Sequence, residues 1–203
     1  ISPLMIPQTF YSVADNFILL AVPMFLMMSN ILLKAGVGED LFNFAQSWVG
    51  NFPGGLAIAT IVSCSIFAAI SGSSVATAAT ISTVAFPAMI NRGYHRNFTL
   101  GILAAGGTLG ILIPPSIMLL VMGPVLEIPV TDLFAAAIIP GIMLAALYAG
   151  YTTLRCYLNP KLGPILPASE RPKNMGKVWY EFFMGLVPPA ALVFFALGSI
   201  LFG

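Results

Sequence analysis

The chain has 203 residues, 59% of them hydrophobic and only 7% charged, with a formal net charge of +1. A soluble domain carries about a quarter charged residues, so these few charges cannot coat a water-facing surface and the excess apolar area must meet lipid. The near-neutral balance gives no support for a nucleic-acid footprint, and Cys64 and Cys156, far apart in apolar stretches, match no metal or redox spacing.

A membrane-crossing helix needs about 20 mostly apolar residues. Residues 16–33 supply the first such run, interrupted by Pro23 and ending at Lys34. Asp15 and Asn16 border it and read as a helix cap. Next, Val37, Leu41, Phe44, Ala45 and Trp48 recur at helical spacing opposite Glu39, Asp40, Asn43 and Gln46. That pattern is either an amphipathic helix lying at the membrane interface or a connecting helix packed on protein. Two shorter apolar legs follow, residues 53–70 and 75–90, joined by Ser71-Gly72-Ser73-Ser74. The tetrad is small and uncharged, which favours a re-entrant hairpin whose tip stops inside the protein over two full crossings. Residues 101–122 are apolar but contain Gly106-Gly107-Thr108 and then Pro114-Pro115, so one continuous helix is not expected there. Residues 133–154 and 182–202 read as further spans, separated by a Pro-, Gly- and Lys-rich loop over 159–177.

Charge placement fits this layout. With the first run ending inside, Lys34, Arg92, Arg96, Arg155, Lys161, Arg171, Lys173 and Lys177 all fall on the inner face, and Asp15, Glu127 and Asp132 on the outer one. This is the bias that orients membrane proteins. His95, between Arg92 and Arg96, reads as solvated.

Backbone groups left unpaired inside a bilayer must be buried in protein or line a wet cavity. Two interruptions therefore stand out, at residues 71–74 and 106–115. Pro114 and Pro115 have no N–H for the carbonyls of Gly110 and Ile111, and free carbonyls there suit a hard cation such as Na⁺. Half-helices starting near Ser73 and Ser116 would aim their positive ends at an anionic group. The plain alternative is that these residues serve only close packing and bending. Enzymatic chemistry lacks its parts: the chain has one His, no carboxylate within the spans, and no Gly-x-Ser-x-Gly, phosphate-loop or HExxH motif.

The run SGSSVATAATI, followed by FPAMINRGYHRNFTLGILAAGGTLGILIPPSIMLLVMG, resembles the large membrane subunit of tripartite ATP-independent periplasmic (TRAP) transporters. The stretch FILLAVPMFLMMSNILLKAGVGEDLF is similar to the same family's early helix and arm, and the match covers nearly the whole chain. The resemblance implies an all-α polytopic protein of the bacterial inner membrane, and about the first half of an elevator-type transporter whose second inverted repeat lies outside this chain. Residues 1–52 would be a scaffold helix and interfacial arm, 53–126 a transport-domain hairpin with a broken helix, and 127–203 further spans with a basic cytoplasmic loop. Such a subunit imports organic acids, is driven by sodium, and works with a small membrane subunit and a periplasmic binding protein. On this reading Ser71, Gly72, Ser73, Gly107, Thr108 and Gly110 would hold Na⁺ through carbonyls and hydroxyls, with no other cofactor. Ser73, Ser74, Pro114, Pro115 and Ser116 would face the substrate. The rivals are an elevator symporter for dicarboxylates or citrate that needs no binding protein, and a membrane scaffold subunit without an ion site.

Overall fold

The computed structural model describes residues 17–49 and 52–164, together with positions 11, 176, 179, 180, 183, 187 and 191. The described residues form helices and connecting turns, with no strand among them. Most of the expected span over 182–202, the residues before 17 other than 11, and most of the basic loop lie outside them.

Helix α1, Phe17–Lys34, is followed by α2, Val37–Val49. Helices α3, Gly55–Ser71, and α4, Ser74–Asn91, make up the paired legs. Helices α5, Arg96–Leu112, and α6, Ile117–Leu126, share one apolar stretch, and α7 runs over Val130–Leu158. Two of these, α4 and α7, are long and apolar enough on their own to cross a membrane. The pair α5 and α6, bent by 41° at its break, makes a third if it is taken as one span. Large apolar side chains on α7 stay uncovered, with Ile139 75% and Ile142 63% exposed. A helix in water would not leave them so, whereas lipid or further protein would cover them.

The core lies between α3, α4 and α5, with α2 laid across it. Leu56, Ile61, Phe67, Ile81, Met89 and Leu109 are fully or nearly fully buried there. Helix α2 turns Leu41, Phe42 and Ala45 into the same core and leaves Glu39, Asp40 and Asn43 exposed. Its apolar face is thus packed on protein, and the Ser63 hydroxyl on α3 reaches the Leu41 carbonyl at 3.2 Å. At the opposite side, Phe25 of α1 meets Leu120 of α6 and Val130 of α7 in a smaller cluster.

One end of the bundle is tied by backbone bonds between segments distant in sequence. Gly54 N–H donates to the Gly163 carbonyl at 3.3 Å, and His95 N–H to the Leu162 carbonyl at 3.3 Å. The Tyr94 hydroxyl accepts from Leu56 N–H at 3.3 Å and donates to the Pro164 carbonyl at 3.2 Å. Burial pushes the Tyr94 phenol up, so it stays protonated and keeps donating. Arg92, Arg96, Arg155 and Lys161 belong to the segments joined here, while Glu127 and Asp132 sit at the other end of α7.

Candidate functional site

The two interruptions meet. Helix α3 ends at Ser71, and Gly72 caps it with φ 62° while its N–H bonds back to the Ala68 carbonyl. Glycine takes this left-handed conformation without steric cost. Ser73 then opens α4, its hydroxyl accepting from Ala76 N–H at 3.4 Å as an N-cap. Across from this tip, α5 stops at Leu112, the Pro114–Pro115 peptide is cis, and Ser116 precedes α6. Ile117 N–H, the first of α6, donates to the Gly72 carbonyl at 3.0 Å. That bond joins one break to the other.

Glycines permit the approach. A Cβ on Gly72 would stand 2.5 Å from the Pro115 oxygen, and one on Gly110 would stand 2.6 Å from the Ser73 oxygen. Gly107 shares that face of α5, where a Cβ would lie 2.7 Å from the Ala78 methyl. Backbone therefore touches backbone, as small residues allow between helices in a membrane.

Buried hydroxyls hold the tip. Ser71, Thr77 and Ser29 are at most 2% exposed. The Ser29 hydroxyl of α1 donates to the Ser71 carbonyl at 2.7 Å, and Ser71 and Thr77 hydroxyls lie 3.0 Å apart. Thr77 also donates to the Ser73 carbonyl from its hydroxyl at 2.7 Å. Ser29 and Thr77 were not among the residues singled out from sequence. Thr77 lies one helical turn after Ser73, which signals a back-bond to a helix start. Nothing in the sequence pairs Ser29 with residue 71.

The carbonyls expected to be free are only partly so. The Leu109 carbonyl accepts from Ile113 N–H at 2.8 Å, and the Ile111 carbonyl takes the Ser116 hydroxyl at 2.6 Å. Ser116 thus replaces the bond that Pro115 cannot make. Gly110 remains the carbonyl facing Pro114, which has no N–H to give. Thr108 sits apart. Its exposed side chain donates to the Ala105 carbonyl at 2.7 Å and lies 3.2 Å from the Tyr148 hydroxyl of α7, away from the face that Gly107 and Gly110 turn to the tip.

Of the remaining positions expected at the site, Ser73, Ser74 and Pro114 are half-buried, whereas Pro115 and Ser116 are buried. Four helix ends therefore converge: the C-termini of α3 and α5, carrying partial negative charge, and the N-termini of α4 and α6, carrying partial positive charge. No side-chain cap satisfies the first N–H groups of α6. Such a point can hold a cation on one side and an anion on the other. Among the described residues no cluster of His, Cys, Asp or Glu offers a metal site, so main-chain oxygens and hydroxyls are the groups at hand.

Comparison with known proteins gives a family. The model of the tripartite ATP-independent periplasmic transporter DctM component matches residues 2–203. The chain is 39% identical over 153 residues to the C4-dicarboxylate TRAP transporter large permease protein DctM of Rhodobacter capsulatus, covering 68% of this chain and 34% of that protein. It is 34% identical over 182 residues to the sialic acid TRAP transporter large permease protein SiaM of Vibrio cholerae serotype O1, covering 88% of this chain and 41% of the relative. With the ectoine/5-hydroxyectoine TRAP transporter large permease protein UehC of Ruegeria pomeroyi, identity is 35% over 141 residues, or 70% of this chain and 33% of the relative. The chain thus spans about a third of the length of the curated relatives it matches.

Proposed function

The chain belongs to the DctM component family of TRAP transporters, and from that premise we propose that it forms part of the large permease subunit of a sodium-coupled importer of organic acids. Residues 71–74 act as the tip of a re-entrant hairpin, and α5 with α6 as one broken span beside it. Both belong to an elevator-type transport domain, with residues 1–52 as scaffold and arm. A small membrane subunit and a periplasmic binding protein complete the system, in the bacterial inner membrane.

The observation that supports this reading most is the meeting of the two breaks, through Ile117 N–H on the Gly72 carbonyl and Gly110 against Ser73. Irregular backbone at membrane depth is tolerated where it lines a cavity or is buried in protein, and half-helix ends facing one point are how transporters hold ions. Carbonyls and hydroxyls of Ser71, Gly72, Ser73, Gly107 and Gly110 are the proposed sodium ligands. The N-termini at Ser73, Ser74 and Ser116, walled by Pro114 and Pro115, face the carboxylate. The side chain of Thr108 is assigned to packing between α5 and α7.

Sodium that binds only the folded state raises stability with concentration. In the full-length subunit, Ser73→Ala should markedly reduce the sodium-dependent rise in melting temperature, and Thr108→Val should leave it intact. An unchanged rise in Ser73→Ala together with a lost one in Thr108→Val would move the ion to the α5–α7 side. A wild-type protein without any sodium response would favour a scaffold subunit.

A further inference from the structure

Between α5 and α7, at the end where the basic residues gather, lies an open groove of about 450 Å³. It is headed by His95, Asn97 and Arg155 and continues along Ile61, Ile102 and Ala105. The cation and the amide sit at one end, and mainly apolar groups, with Tyr148 and Thr152 among them, line the length, which is the profile of an amphiphile. Arg155 stacks 6.0 Å over the Tyr151 ring, and no carboxylate among the described residues pairs with it. Gly101 lines the groove, and beyond its chain neighbours and its own helix's backbone no atom lies within 4 Å of where its Cβ would be. The channel is thus open beside that position, and among the described residues no carboxylate neutralises Arg155 at its mouth.

We propose that this groove binds an anionic phospholipid of the inner leaflet, with the phosphate at Arg155, His95 and Asn97 and an acyl chain along Ile102 and Ala105. Basic pockets between membrane helices on the cytoplasmic side hold such headgroups, because the anionic leaflet supplies them at high local concentration. The proposal rests on the reading that this end of the bundle faces the cytoplasm. It does not require the sodium site. A lipid wedged between α5 and α7 would bear on the helix that carries Gly107 and Gly110, and so on the site from behind.

The test uses the full-length subunit, with native mass spectrometry and thermal melting in phosphatidylglycerol against phosphatidylcholine. Wild type should retain phosphatidylglycerol preferentially, and Arg155→Gln should lower that retention about fivefold, the effect of one basic group near an anionic headgroup. Arg155→Lys should restore most of it. Gly101→Leu should displace the lipid by filling the groove. Arg96→Gln, an adjacent charge outside the lining, should change nothing. Equal losses in Arg96→Gln and Arg155→Gln would reduce the effect to general surface charge and overturn the proposal. So would retention unaffected by Arg155→Gln, or displacement by soluble glycerol phosphate at matching concentration, which would indicate a free-anion site. If Gly101→Leu does not fold, the Gln and Lys variants of Arg155 decide the matter. Sodium-dependent melting of the same samples reports on the transport reading separately, so failure of either is distinguishable from failure of the other.

Discussion

Gly72 carries two constraints at once: a left-handed φ of 62° and the Pro115 oxygen where a side chain would start. The first costs a non-glycine residue about 1–2 kcal/mol, and overpacking against a fixed backbone costs about 1–3 kcal/mol more. Gly72→Ala should therefore lower stability by roughly 2 kcal/mol or more, read as a drop in melting temperature in detergent. Gly101 is the control, since its Cβ would meet open space within a helix. Gly101→Ala should be neutral or stabilise by up to about 1 kcal/mol through helix propensity. Equal effects at the two positions would mean that the tip does not press on the Pro115 segment. From sequence alone both are simply glycines in apolar runs. Only the path of a segment more than forty positions along the chain separates them.

At the scale of helices, the sequence located the breaks because their causes are local. Pro114-Pro115 removes two donors, and Ser-Gly-Ser-Ser supplies a cap and a left-handed turn. The starts of α4 and α6 accordingly fall just after Ser73 and Ser116, where the half-helices were expected. What local pattern could not give was where the loose ends go. The Ile111 carbonyl was expected to be free, yet the Ser116 hydroxyl takes it at 2.6 Å, closing the break on itself. Likewise, the polar Thr108 looked like a ligand because of its neighbours in sequence, whereas helical rotation turns it to Tyr148. The amphipathic pattern of α2 left interface and protein packing equally open; the structure shows that Leu41 and Phe42 pack into the α3–α5 core. Ser116→Ala should strip the part-buried Ile111 carbonyl of its partner, costing about 1 kcal/mol. Thermal melting checks this, and Ser116→Thr, which keeps the hydroxyl, should recover most of the loss.

For the molecule as a whole, the decisive distinction is between a permease that depends on a delivered substrate and one that works alone. Reconstituted vesicles holding the full-length subunit and its small membrane partner should take up an organic acid only when a sodium gradient and the binding protein are both supplied. Uptake at full rate without the binding protein would favour the self-sufficient symporter. Family membership itself was legible because the most specific run, residues 107–116, lies on the segment where geometry is tightest. The meeting of α3–α4 with α5–α6 has a consequence for selectivity. A pocket assembled from main-chain atoms has a narrow chemical vocabulary: it distinguishes charge and size but not one organic skeleton from another. Relatives 34–39% identical to the chain are named for cargoes as different as C4-dicarboxylates, sialic acid and ectoine. If the proposed site is the substrate pocket, the choice among such cargoes would belong to side chains beyond the four helix ends, or to the proposed binding protein.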